Sequence, residues 1–274
     1  MALDPIEPAV LDFILQVERL YANLMAAPGP GVGTDHGLGG KLIYAGDLDP
    51  VSRALLVAAN IAGAASLAVS ADQARQKQAV KDGVIDFLVT SLSEALRILK
   101  NQVRKRESVA VCIAGQPEAV EREMRDRGVL PDLIASELPG SPASQFWFAK
   151  GACSIELDSE ELDHALLIWQ VSGSPTKSMA ALDTIVLDCL LRGAGLDRST
   201  PARWLRLSPR YLGRLAHGVR VLRCDPRVAK EFVARAQRAV ENGEIGVEVR
   251  FDFRDNGEGF NAQFISTAAA DGVA

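Results

Sequence analysis

The stretch Gly40–Asp72, GKLIYAGDLDPVSRALLVAANIAGAASLAVSAD, reads as strand, turn, helix and strand, and the first half of the chain continues that alternation. Leu42 to Ala45 is a short apolar run that ends at Gly46. Asp49 and Pro50 follow where an N-cap and a first helical residue belong, since a carboxylate holds free N–H groups and proline lacks one. Val51, Leu55, Leu56, Ala58, Ile61 and Ala62 give the helix a broad apolar stripe. Gly63 stops it, and Ser66 to Val69 is the next strand. This is the opening βαβ of a dinucleotide-type fold, in which phosphates lie on the N-terminus of the first helix.

The turn Gly46-Asp47-Leu48-Asp49-Pro50-Val51-Ser52-Arg53 supports two readings. A glycine-rich turn works because bare backbone approaches a pyrophosphate and helix N–H groups are left for it. Here Asp49 would cap those same groups, and two carboxylates would face the anion. A like-charge pair near 4 Å is worth roughly 1 kcal/mol in water and about 4 kcal/mol at an effective dielectric of 20. The favoured reading is a self-capped structural helix. The other is a working phosphate site, with Arg53 in the first turn offsetting part of the repulsion.

Farther along, Ala9 to Met25 is a long amphipathic helix and Gly29 to Gly40 a glycine-rich loop. Ala71 to Asp82 is a helix, Val84 to Val89 a strand around Asp86, and Ser91 to Arg104 a helix whose Ser91 and Glu94 form a capping-box pattern. Ser108 to Ala114 is a buried strand, Pro117 to Arg127 a helix and Val129 to Ala135 a fifth strand. Five strands with short helical links require a parallel sheet covered on both faces, its carboxyl edge at Gly46, Val69, Val89, Gly115 and Ala135. Glu137 to Gln145 is the best boundary. Beyond it Phe146 to Leu157 holds strand, Ser159 to Val171, Met179 to Arg192 and Arg227 to Glu241 are helices, a helical piece lies between Pro201 and His217, and Ile245 to Phe253 alternates as a strand. The expected organisation is an N-terminal helix and loop over 1–39, the α/β domain over 40–137, a smaller mainly helical α+β region over 146–266 and a tail over 267–274.

At 274 residues with 48% hydrophobic and 24% charged content, the composition is that of an ordinary globular protein. A net charge of −5 argues against a nucleic-acid partner, and the basic runs Lys100 to Arg106 and Arg203 to Arg223 read as solvated helix faces. No run approaches the ~18 apolar residues of a membrane span, and no basic leader precedes Asp4 and Glu7, so a cytoplasmic location is expected. Cys112, Cys153, Cys189 and Cys224 are scattered and make no zinc motif, and Cys112 reads as a buried small hydrophobe. His36, His164 and His217 stand at no metal-ligand spacing; each reads as structural, His36 least clearly because of its glycine-rich loop. No metal is expected.

Several of these segments, in order, resemble the urocanases (urocanate hydratases). GKLIYAG with IAGAASLAVSAD, then DGVIDFLVTSLSEALRILKNQVRK and RDRGVLPDLI, are similar to that family's NAD-binding Rossmann-like domain over roughly Gly40 to Leu138. Weaker matches follow at Trp169–Pro175, Pro201-Ala202-Arg203, Asn242-Gly243-Glu244-Ile245 and Asp252–Gly257. The resemblance implies a Rossmann-like fold, tightly held NAD⁺ acting as an electrophile on urocanate, and cofactor contacts at Gly46, Pro50, Val51, Ser52, Arg53, Ser70, Arg75, Gly115 and Gln116.

The departures fall on those positions. The family's glycine–methionine–glycine is replaced by Pro50, Val51 and Ser52, its ribose-binding acid by Ser70, and its glycine–asparagine by Gly115-Gln116, whereas an arginine is retained as Arg75. Ser136 to Pro139 replaces its DQTS-type segment, and Trp204-Leu205-Arg206 stands where its active-site cysteine follows Pro-Ala-Arg. Its Tyr-Ile-Gly-Thr-Gln-Gly segment has no counterpart. Asp252 and Asp255 survive as weak catalytic candidates, although an aspartate pair in a turn more often caps backbone. The expectation is a divergent urocanase-like protein without urocanate hydratase activity and without NAD, binding an unidentified small molecule or partner and forming a homodimer. The alternative is an NAD-dependent lyase of the urocanate hydratase type, acting on urocanate or a related acid.

Overall fold

The computed structural model describes residues 7–27, 37–135, 141–157, 165–172, 175–192, 199–254 and 259–264. They fall into two compact units, residues 16–160 and residues 1–15 with 161–274. Helix α1, Pro8–Ala26, opens the described chain.

The first unit is built on β1 (Leu42–Asp47), β2 (Ala65–Ser70), β3 (Phe87–Val89), β4 (Val109–Ala114), β5 (Leu133–Ala135) and β6 (Cys153–Ile155). Every described pairing is parallel, in the order β3-β4-β2-β1-β5-β6. The linking helices are α2 (Pro50–Ala62), α3 (Gln73–Lys81), α4 (Leu92–Lys105), α5 (Pro117–Asp126) and α6 (Pro142–Ala149). Right-handed crossovers set α2 and α3 on one face and α4, α5 and α6 on the other, because the chain steps one way from β1 to β3 and back from β3 to β6. The reversal at β1 and β5 is the switch point of the sheet, and ligands of such sheets lie outside the carboxyl ends there.

The sheet reaches beyond the expected boundary. Phe146–Leu157, expected as strand, opens within α6: Ser141 caps that helix by accepting the Ser144 N–H at 3.0 Å, Pro142 is its first residue, and β6 follows. Two strands are shorter than expected, since only Phe87–Val89 and Leu133–Ala135 pair. Their leading segments carry aspartates instead. Asp86 accepts the Ala110 N–H at 2.8 Å, and Asp132 accepts the Leu42 N–H and the Lys41 ammonium, each at 2.9 Å, fixing register at the amino edge.

Strand β2 is buried along its whole length, as a central parallel strand must be. Helix α2 is buried at Ser52 and from Ala54 to Ala62, and Gly63 ends it at φ 92°. On the other face Leu67, Val69, Val111 and Ile113 pack with Leu92, Leu96, Leu99 and Met124, and Tyr44 meets Trp147 edge-on at 5.1 Å. Each such aliphatic side chain contributes about 1.5–3 kcal/mol on burial. Between Tyr44 and Gly46 the register of β1 against β2 slips by one residue, a bulge that leaves Ala45 unpaired.

The second unit holds a four-stranded antiparallel sheet in the order β10-β9-β7-β8. Its strands are β7 (Ala165–Val171), β8 (Val219–Cys224), β9 (Val249–Arg254) and β10 (Gly259–Phe264), and its helices α7 (Pro175–Arg192), α8 (Ser199–Leu212) and α9 (Pro226–Glu241). Two expectations are corrected here. The helix expected over Ser159–Val171 is strand β7 from Ala165, in the middle of the sheet. The end of the basic run to Arg223 is strand β8, in which Val219, Val221, Leu222 and Cys224 are buried and Arg220 and Arg223 half-buried. Trp169, Phe232 and Phe251 form the aromatic core, with ring centroids 5.1 and 5.5 Å apart.

Candidate functional site

Residues expected at a cofactor site lie along the carboxyl edge of the parallel sheet. Gly46 sits in the bulge at φ 79°, a left-handed conformation that glycine takes without strain. Asp49 is the N-cap of α2 and accepts the Ser52 N–H at 2.7 Å, with Pro50 as the first helical residue. The Ser52 hydroxyl turns inward and donates to Ala45 O at 2.7 Å. Leu48 is fully buried, its N–H shared between Val69 O at 3.1 Å and Asp47 Oδ1 at 2.9 Å. The turn is therefore closed by its own side chains.

The neighbouring turn is equally self-satisfied. Asp72 caps α3, accepting the Ala74 and Arg75 N–H groups at 2.8 and 3.2 Å. Ser70 is buried, its carbonyl accepting the Gln76 amide at 2.6 Å and the Gly115 N–H at 3.0 Å. Arg75 reaches back to Asp47 Oδ2 at 3.1 Å and to Asp72 Oδ2 at 3.4 Å. These bonds draw Asp47, Ser70, Asp72, Arg75 and Gly115 into one constellation. Arg53, in the first turn of α2, pairs with Asp82 at 2.6 Å, tying α2 to the end of α3.

Beyond that pair the edge opens. Gln116 is the N-cap of α5 but makes no side-chain capping bond, so its exposed amide is free to meet a ligand. Val51, beside Ser52, is half-buried. Behind this edge the Tyr44 hydroxyl donates to Glu121 Oε1 at 3.0 Å in a buried pair. Burial pushes the Glu121 carboxyl above its usual range, Glu118 adding to it against the hydrogen bonds from Tyr44 and Ser141. Burial pushes the Cys112 thiol up to about 12, with the Asp47 charge adding, so Cys112 is an inert core group.

Asp252 is also corrected, because it lies within β9, opposite Ile168 and Asn261, and not in a turn. Arg254 holds it through Nε at 3.0 Å and Nη2 at 2.9 Å. Asp255, Ser136 to Pro139, His36 and His164 lie outside the described residues. Among the described residues no group of three His, Cys, Asp or Glu side chains could hold a metal, and no helix is long and apolar enough to cross a membrane.

What the sequence reading missed is the partnering of Arg75 with Asp47 and of Gln76 with Ser70. The first joins two turns 28 positions apart, which no local spacing displays, and the second closes the β2–α3 turn on itself. Parallel order, switch point and helix-bearing edge together define a Rossmann-like domain. Residues 21–140 match the urocanase Rossmann-like domain, so the chain carries a domain of that family over somewhat less than half of its 274 residues. Members of that family bind NAD. The α2 turn does not fit that group: the anion position is filled by Asp49, and the bare backbone a diphosphate needs is replaced by Pro50, Val51 and Ser52.

Proposed function

We propose that this is a divergent urocanase-like binding protein, without urocanate hydratase activity. Its Rossmann-like domain takes a small ligand or a partner at the carboxyl edge without seating a dinucleotide diphosphate on α2. One observation carries this reading: the Asp49 carboxylate on the Ser52 N–H at 2.7 Å, where a phosphate oxygen would have to be. The edge leaves the exposed Gln116 amide beside the Asp47 and Asp49 carboxylates, which favours a neutral or cationic ligand over a diphosphate. The same proposal includes a cytoplasmic homodimer.

The test is mass spectrometry of the purified full-length chain together with ultraviolet absorbance of added urocanate. The expected result is no stoichiometric dinucleotide and no urocanate loss that scales with protein concentration. Either signal overturns the reading in favour of an NAD-dependent lyase of the urocanate hydratase type. That second reading draws on Gln116, whose uncapped position leaves the N-terminus of α5 open to a ligand.

A further inference from the structure

We infer that the antiparallel unit carries a second ligand site, at the N-terminus of α7, for a small phosphate monoester of sugar or polyol type. A cavity of about 510 Å³ is lined there by Thr176, Lys177 and Ser178 from the first turns of α7, and by Glu244, Gly246 and Val247 from the loop before β9. Its size is within the range of small-molecule sites.

Four observations converge. The first helical residue is Pro175, so the N–H groups of Thr176 and Lys177 belong to the set that no intrahelical carbonyl can take. The first turn holds no acid and instead places Lys177 against the positive end of the helix dipole, a position that an anion stabilises and an empty helix does not. Among the described residues Lys177 has no ion-pair partner. Ser178 is only 8% exposed, yet it lines the cavity, and its hydroxyl has no hydrogen-bond partner among the described residues.

The charge pattern selects the ligand. A dianionic phosphate suits the helix N-terminus, the Lys177 ammonium and the Ser178 hydroxyl together. Glu244 would repel a second phosphate but accepts hydrogen bonds from sugar hydroxyls. Gly246 leaves open space, since a side chain there would meet nothing within 4 Å. This site is independent of the carboxyl edge and uses no residue of it.

Calorimetric titration of the full chain with ribose 5-phosphate, free ribose, gluconate and inorganic phosphate tests the assignment. Ribose 5-phosphate is expected to bind best, and Lys177→Gln or Ser178→Ala to weaken it by roughly ten-fold, about 1.4 kcal/mol. Glu244→Gln is expected to weaken ribose 5-phosphate but not inorganic phosphate. Ribose 5-phosphate should also shield Lys177 of the unaltered chain from acetylation, a readout that needs no variant to fold. No heat with ribose 5-phosphate, equal binding of gluconate, or unchanged Lys177 acetylation would each overturn the proposal.

Discussion

The Arg75 guanidinium lies 3.1 Å from Asp47 Oδ2, so the one arginine retained at the edge faces a carboxylate that the turn before α2 supplies. Arg75 also touches Asp72, the cap of its own helix. Two turns are thereby coupled through a cation that an incoming diphosphate would need for itself. Both partners are about half exposed, which sets the size of what can be measured.

Replacing Arg75 with Gln is therefore expected to change stability by less than about 1 kcal/mol, as for other exposed pairs. Urea unfolding of the two proteins checks this, and a loss of several kcal/mol would show that the pair holds the two turns in place.

Asp49→Ala is expected to lower stability by about 0.5–2 kcal/mol, because it strips the cap from α2. Asp49→Gly should cost only a few tenths of a kcal/mol. If the two acids exclude phosphate, the double variant Asp47→Gly, Asp49→Gly should gain affinity for NAD⁺ or ADP-ribose, and the gain should shrink at high salt. Titration of both proteins at low and high salt measures it. Tight binding by the unaltered chain, weakened by Asp49→Gly, would identify the turn as a working phosphate site.

The buried Tyr44–Glu121 pair predicts a pH dependence. Burial raises the folded carboxyl, so between the unfolded and folded values the native state binds more protons than the unfolded one. Stability from this group is then full below the unfolded value and declines as pH rises through the folded value. Glu121→Gln should remove that decline and leave the acid end unchanged. Tyr44→Phe, which strands the carboxylate, should cost about 1–3 kcal/mol. Denaturation midpoints across a pH series decide it, and parallel profiles for the Gln variant and the unaltered chain would contradict the assignment.

Cysteine reactivity offers a fourth check. Cys112, Cys189 and Cys224 are buried and Cys153 is partly exposed, and none of the four is in a disulfide. A thiol reagent should modify one residue promptly, Cys153, and the other three only after denaturant. Prompt labelling of Cys112 in native protein would mean that the face of the sheet beneath α2 opens readily.

Local signals were legible in the sequence and long-range ones were not. Asp49-Pro50 announced the start of α2 because a cap and its N–H groups lie within three residues. The five strands to Ala135 and the buried state of Cys112 followed from apolar runs between turn residues. Leu166 to Val171, by contrast, is an apolar run too short to separate helix from strand by periodicity, and only its antiparallel neighbours decide it. Val219–Cys224 hid its strand because Arg220 is pinned by Asp183 at 3.2 Å, a partner 37 positions earlier. In Phe146-Trp147-Phe148 the aromatic bias toward strand outweighed a cap that was present in Ser141-Pro142. At the carboxyl edge Gly46, Ser70 and Gly115 were legible as strand ends, whereas the Arg75–Asp47 pair depends on how two turns meet.

The bulge at Ala45 gives β1 one residue more than β2 uses, and so acts as a reading-frame shift written in pleats. Everything after it, including both acidic residues of the turn, is set half a pleat out of step with the strand that delivers it. Removing one codon there would re-aim the whole loop while leaving each carboxylate in the gene. For this edge of the sheet, the length of a strand determines where the turn residues stand as much as their identity determines what they present.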